Sequence, residues 1–429
     1  MGILLTNILP GAGPRGPGAM TWLTKTGAYN VNAWEGILAD TSTVGAWTLT
    51  LPASPAVGDT IGIIDAKGSF ASASLTIDGN GSLIAWLTSS LTCNKVFLSF
   101  DLIYAGTAGW VIKPSANSSF GATKGYFTGG SSGAIVVTTD KVTFSTDVTG
   151  AQTTANLTTA TTYLMALKGN TAGYVAGGFT GADIVIATAG TITYSTDIYA
   201  TATTANLSVV RYGGTGLSEG SSKGYFLGGA TERVTYTESA VADKITFSSS
   251  TRSAQTSANL SLARKLLVGI NAALCGYALG GATTAAHTAT SVADKLIFST
   301  DITAASTASA LPVAAYTGGT TDGIAKGYIA GGYTGAFSKA TLRITYSTDV
   351  TTAASTANLS TGKYSLAGVG NGNDKGYMVG GYTGAYVYTN TAEKIAFSTE
   401  VTTAQTTANL SSIRAQFTSL ANQVVVAWS

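Results

Sequence analysis

Lys124-Gly-Tyr-Phe-Thr-Gly-Gly130 is the stretch that decides the fold. It returns as Lys223-Gly-Tyr-Phe-Leu-Gly-Gly229, and in variant form from Ala172, Cys275, Lys326 and Lys375. Each copy ends in a glycine doublet: Gly129 and Gly130, Gly177 and Gly178, Gly228 and Gly229, Gly280 and Gly281, Gly331 and Gly332, Gly380 and Gly381. The period is about 50 residues, which signals propeller blades or solenoid units. After a variable stretch comes a second phrase, Asp140-Lys-Val-Thr-Phe-Ser-Thr-Asp147, repeated at Asp243–Ser250, Asp294–Asp301 and Glu393–Glu400 and more weakly from Thr191 and Arg343. A third phrase, Thr-Ala-Asn-Leu-Ser, centres on Asn156, Asn206, Asn259, Asn358 and Asn409; the fourth copy departs from it at Ser309-Ala-Leu311.

The phrases read as strands. Lys-Gly-Tyr-Phe and Lys-Ile-Thr-Phe alternate with period two and are rich in aromatic and β-branched residues. Ser-Thr-Asp is turn chemistry, because short polar side chains bond nearby amides. Four short strands per copy make an antiparallel sheet that cannot bury both faces alone, whereas six such sheets arranged radially can. The glycine doublet fits a crowded backbone position that tolerates no Cβ. Arg414-Ala-Gln-Phe-Thr-Ser-Leu-Ala-Asn422 matches the segment that leads into the other copies, and the first copy lacks it. The C-terminal strand is therefore expected to pair into the first blade and remove a free sheet edge. Gln423-Val-Val-Val-Ala-Trp428 looks like one further strand, so seven blades is the alternative to six.

Over about residues 120–425 this pattern resembles the kelch-type β-propeller. That resemblance rests on the glycine doublet ending one strand and on a later strand with an aromatic residue and a turn acid. Here these are Phe144, Tyr194, Tyr346 and Phe397 with Asp147, Asp197, Asp349 and Glu400. The family's later tryptophan is replaced by Thr-Ala-Asn-Leu. The resemblance implies blade geometry and no particular chemistry.

Ahead of the repeat the texture differs. Trp22, Trp34, Trp47, Trp86 and Trp110 and six of the seven prolines precede residue 115, and Ser115-Ala-Asn-Ser-Ser-Phe120 is the expected boundary. Residues 1–20 read as an attachment peptide with a Gly-Pro-rich linker, residues 21–115 as a small β-sandwich or barrel-like domain, and residues 116–429 as the propeller. Expected strands include Ala46–Leu51, Thr60–Ile64, Ser74–Ile77, Val96–Tyr104 and Trp110–Ile112, with a hairpin signal at Asp78-Gly-Asn-Gly81. The run of Leu49-Thr-Leu-Pro-Ala-Ser-Pro-Ala-Val-Gly-Asp59, Leu75-Thr-Ile-Asp-Gly-Asn-Gly81 and Leu102-Ile-Tyr-Ala-Gly-Thr-Ala-Gly-Trp-Val-Ile112 resembles a module of tailed-bacteriophage fibres and appendages. This implies a virion surface location, a homotrimer formed through the N-terminal half, and attachment there to other virion proteins.

Composition excludes much chemistry. Only 10% of the 429 residues are charged, against roughly 25% usually, and glycine (53 residues) and threonine are in excess. A single histidine, His287, and two cysteines, Cys93 and Cys275, cannot furnish a Cys/His zinc site. His287 lies among small residues and reads as an exposed loop residue, and a disulfide between the distant cysteines is not expected. The net charge of +2 gives no field for nucleic acid. No apolar run reaches the roughly 18 residues of a membrane span. No cofactor or metal is expected, and the doublets are not phosphate loops, since no helix follows them. The repeated acids Asp147, Asp197, Asp301 and Asp349 read as Asx-type turns too far apart for paired catalysis. Lys124, Lys223, Lys326 and Lys375 read as solvated strand-edge residues.

The copies diverge after each doublet. Rigid strands that present divergent loops fit binding. The aromatic and hydroxyl residues there suit a host cell-surface glycan or protein. The candidate receptor contacts are Phe179, Tyr236, Tyr333, Phe337, Tyr382, Tyr386 and Tyr388. The expectation is a non-enzymatic virion fibre protein that binds a host receptor. The alternatives are a decoration protein that binds only other virion proteins and a polysaccharide-degrading propeller.

Overall fold

The computed structural model describes residues 20–70, 72–84, 89–93, 99–114, 122–220, 222–272, 274–283, 288–312, 318–321, 325–333 and 335–422. They fall into two compact units on either side of residue 120. The linker reading of residues 1–19, the boundary at 115–120, His287 and the strand-like 423–428 lie outside the described residues.

In the first unit the strands are β1 (Thr21–Lys25), β2 (Tyr29–Asn30), β3 (Glu35–Ala39), β4 (Trp47–Thr50), β5 (Thr60–Asp65), β6 (Leu75–Asp78), β7 (Ser90–Cys93), β8 (Ser99–Tyr104) and β9 (Trp110–Pro114). They form two sheets, ordered β1-β3-β5-β8-β9 and β2-β4-β6-β7. One core of inward side chains from both sheets joins them, including Ile37, Ile61, Ile63, Leu49, Ile77, Leu91 and Trp110. The pairing is not a simple meander. The first six strands alternate between the sheets, so β1, β3 and β5 pair in parallel, as do β2, β4 and β6. Alternating hydrophobicity identifies a strand but not the direction of its neighbour. Asp78 does start a turn by accepting from the Asn80 amide (2.9 Å), but the antiparallel β6–β7 pair is joined through residues 79–89 and not by a tight hairpin.

The second unit is a six-bladed β-propeller. Each blade is a four-stranded antiparallel sheet. Blade 2 is representative, with Met165–Lys168 innermost, then Ala172–Ala176, Ala189–Thr193 and the outermost Ile198–Thr201. The second strand is buried almost throughout, because blades cover both its faces, and the outermost strand is mostly exposed. Blade 1 is closed by the C-terminal strand Thr418–Ala421, which pairs with Lys124–Thr128 as the sequence predicts. Asn422 caps that closure, its Oδ1 accepting from the Thr123 and Lys124 amides at 2.9 and 2.8 Å. The core lies between blades and not within them: six separate apolar clusters fill the six seams. All twelve doublet glycines have positive φ. A Cβ on Gly129 would lie 2.5 Å from the Thr161 carbonyl oxygen, and one on Gly130 2.6 Å from that of Ala415. Only glycine meets both demands.

Candidate functional site

Connections after the first and third strands of a blade open on one side, here called the turn face. Those after the second and fourth open on the other, the loop face. The two sides do different work.

On the turn face the repeated acids and lysines meet across the seams. Asp197 of blade 2 takes Lys124 Nζ (2.6 Å), Lys141 Nζ (2.7 Å) and the Tyr126 hydroxyl (2.5 Å) of blade 1. Asp301 holds Lys223, Lys244 and Tyr225; Asp349 holds Lys295 and Tyr277; Glu400 holds Lys326, Arg343 and Tyr328; Asp147 holds Lys375, Lys394 and Tyr377. The lysines are therefore clamps, not solvated edge residues. The acids, held at positive φ, spend their carboxylates on the neighbouring blade instead of on their own turn. The reading as Asx turns is corrected accordingly, because the partners of each acid lie in the preceding blade, 54 to 78 residues away or, for Asp147, near the other end of the propeller sequence. Burial opposes ionisation of Asp147, Asp197 and Asp301, but the hydrogen bonds from two lysines and a tyrosine outweigh it and bring each carboxyl down to about 2. Among the described residues no group of three or more His, Cys, Asp or Glu side chains gathers into a possible metal site. Cys93 and Cys275 are buried free thiols.

Nearer the loop face lies a second set of pairs that sequence reasoning missed. Arg211–Asp243 (2.6 Å), Arg264–Asp294 (2.7 Å), Arg414–Asp140 and Lys363–Glu393 (3.0 Å) are all buried. Each arginine also donates to backbone carbonyls, as Arg264 does to Gly280 and Ala278. The signal was present: a cation stands five residues after Asn206, Asn259, Asn358 and Asn409, and the first residue of the second phrase is its acid. In blade 2, where Gly190 replaces the acid, Thr161 replaces the cation.

The loop face itself is aromatic. Backbone bonds between successive blades frame its centre: Gln416 donates to Ser365, Tyr163 to Gln416, Gly213 to Tyr163 and Leu266 to Gly213. Around them Tyr333, Phe337, Tyr364, Tyr382, Tyr386 and Tyr388 form one ring cluster across blades 5 and 6, with centroids 4.7–6.1 Å apart. The Tyr388 hydroxyl reaches Ser131 of blade 1 at 3.1 Å. Across blades 2 and 3, Phe179 packs on Tyr163 and Tyr212, and Tyr236 lies in the same apolar cluster beneath Lys265. The seven sequence-predicted contacts thus share one face, in two clusters. Their exposure differs: Tyr386 is 57% exposed, whereas Phe179 and Tyr382 are buried and Tyr236, Tyr333, Phe337 and Tyr388 are half-buried. Buried rings support the face and exposed ones present it. Tyr163, Tyr212 and Tyr364 complete the clusters; they come from the connections between blades, where no divergent loop drew notice.

Comparison with solved structures shows the fold. The structure of YjhT matches with a TM-score of 0.52 at 12% identity, covering 66% of this chain and 97% of that one. No protein-family description and no curated protein matches the sequence.

Proposed function

We propose that this chain is a non-enzymatic virion appendage protein of a tailed bacteriophage. Its N-terminal half attaches it to the particle and assembles it as a homotrimer, and its kelch-like propeller touches the host surface through the loop face. The observation that carries this reading is the division between faces. Five of the six seams repeat one clamp, while the divergent loops bring their aromatic side chains together on the opposite side. A stiff scaffold with a variable aromatic surface is suited to recognition of glycan or protein. The resemblance of residues 21–113 to phage-fibre modules supplies the particle context.

Labelled full-length protein tests it on bacteria that the phage infects. Saturable adhesion to the cells, with delayed infection when the protein is added in excess, is expected. Absence of both would overturn the receptor reading. Depletion of surface polysaccharide during the incubation would overturn the non-enzymatic one.

A further inference from the structure

We infer that the groove between blades 2 and 3 on the loop face binds a neutral pyranose, through its vicinal hydroxyls and one apolar C–H face. This deepens, and rests on, the proposal that the loop face meets a cell-surface glycan.

Three segments build the groove: the loop 177–188 of blade 2, the connection 202–214, and the loop 228–241 of blade 3. They enclose an open cavity of about 360 Å³, near the lower end of small-ligand sites and enough for one sugar ring. Val185, Val210 and Val234 give it apolar walls, and Val234 is 88% exposed. Arg233 lies in it with its guanidinium 3.9 Å over the Phe179 ring and 3.1 Å from the Asp183 carboxylate. Phe179 is buried against Tyr163 and Tyr212, so the guanidinium rests on a fixed support. Tyr212, whose ring packs edge-on against Phe179, has a buried hydroxyl with no hydrogen-bond partner.

The charges select the ligand. Asp183 neutralises Arg233, yet its own side chain remains 71% exposed. Glu232 accepts from Thr237 at 2.8 Å, and such hydrogen bonds from Thr235 and Thr237 keep its carboxyl below the usual range. The groove is therefore net negative, with two carboxylates that accept hydroxyl donors and no uncompensated cation. Vicinal sugar hydroxyls supply those donors, and the valines and the guanidinium plane suit the C–H face of the ring. A uronic acid or phosphate would be repelled.

Titration of the full-length protein with methyl glucoside, methyl mannoside, methyl galactoside and methyl glucuronide, followed by ligand-observed NMR, tests this. At least one neutral glycoside should bind in the millimolar range, and the glucuronide roughly tenfold more weakly or not at all. Affinity should fall roughly tenfold or more in Asp183→Asn/Glu232→Gln, which removes two charge-assisted acceptors. It should also fall in Val234→Trp, which fills the cavity from an exposed position, and stay unchanged in Tyr386→Ala. Unchanged melting temperatures separate these effects from misfolding. Binding of no neutral glycoside, equal binding of the glucuronide, or full affinity in both groove variants would overturn the site. Cell adhesion retained by both groove variants would sink this site alone; cell adhesion absent from the parent protein would sink the receptor reading.

Discussion

The seam between blades 2 and 3 differs from the other five. All six contain the same stacked aromatic pair across the boundary: Tyr126–Tyr194, Tyr174–Phe247, Tyr225–Phe298, Tyr277–Tyr346, Tyr328–Phe397 and Tyr377–Phe144, with centroids 5.3–6.2 Å apart. Five add an acid that clamps a tyrosine and two cations, or one at Asp349, where Cys275 stands in place of the second lysine. At the exception Ser250 replaces the acid, Ala172 and Thr191 replace the cations, and the Tyr174 hydroxyl meets Ser250 Oγ at 2.8 Å. The loss is concerted, since a lone lysine or a lone acid in that partly buried place would be left uncompensated. On the loop face the same seam gains the ion pair of Asp183 and Arg233 and the groove beside it. Apolar stacking is thus common to the whole ring, whereas the polar links differ from seam to seam, and at this one the ion pair lies on the loop face.

The contrast can be broken most forcefully at the buried pairs. Asp294→Ala should destabilise the propeller by about 3–5 kcal/mol in urea unfolding, because Arg264 is left charged and buried. The double change Arg264→Thr/Asp294→Gly, which copies Thr161 and Gly190 of blade 2, should recover most of that loss. Next in size, Asp301→Ala in a clamped seam should cost about 1–2 kcal/mol, and Ser250→Ala about half as much or less, both read from urea unfolding.

Acid gives a third comparison. Asp147, Asp197 and Asp301 titrate near 2 when folded, against an ordinary 3.8. A depressed folded pKa means that their contribution is intact above about pH 4 and is lost as pH falls towards 2. Melting temperature should therefore drop across that window, and less steeply in Asp301→Asn. Neutral Ser250 adds nothing to this slope. The smallest effect is a gain: Ala172→Lys/Thr191→Lys/Ser250→Asp should raise stability by at most about 1 kcal/mol, because half-exposed pairs contribute little. Differential scanning calorimetry reads it, and a marked loss would mean that the exceptional seam has a different geometry.

Much of the fold was legible because each blade repeats its own local chemistry. The glycine doublets, the period and the Arg414–Asn422 segment specify six blades and the closing strand without reference to distant contacts. The N-terminal strands were equally visible at Trp47–Thr50 and Thr60–Asp65, but their parallel pairing was not, since an alternating pattern is the same whichever way the neighbour runs. The candidate contacts Phe179 and Tyr382 were legible as loop aromatics, and their burial was not: it depends on Tyr212 and Tyr364, which arrive from other segments.

By itself, then, the sequence determined the repeat, its four strands and the positions where no side chain fits, because these follow from backbone sterics and alternation within some 50 residues. Only the tertiary structure decided which blade each acid serves, why Lys124 faces Asp197 across 73 positions of chain, and where the aromatic loops converge. Those facts come from the ring arrangement, which sets each acid-bearing turn against the preceding blade and gathers the loops on one face.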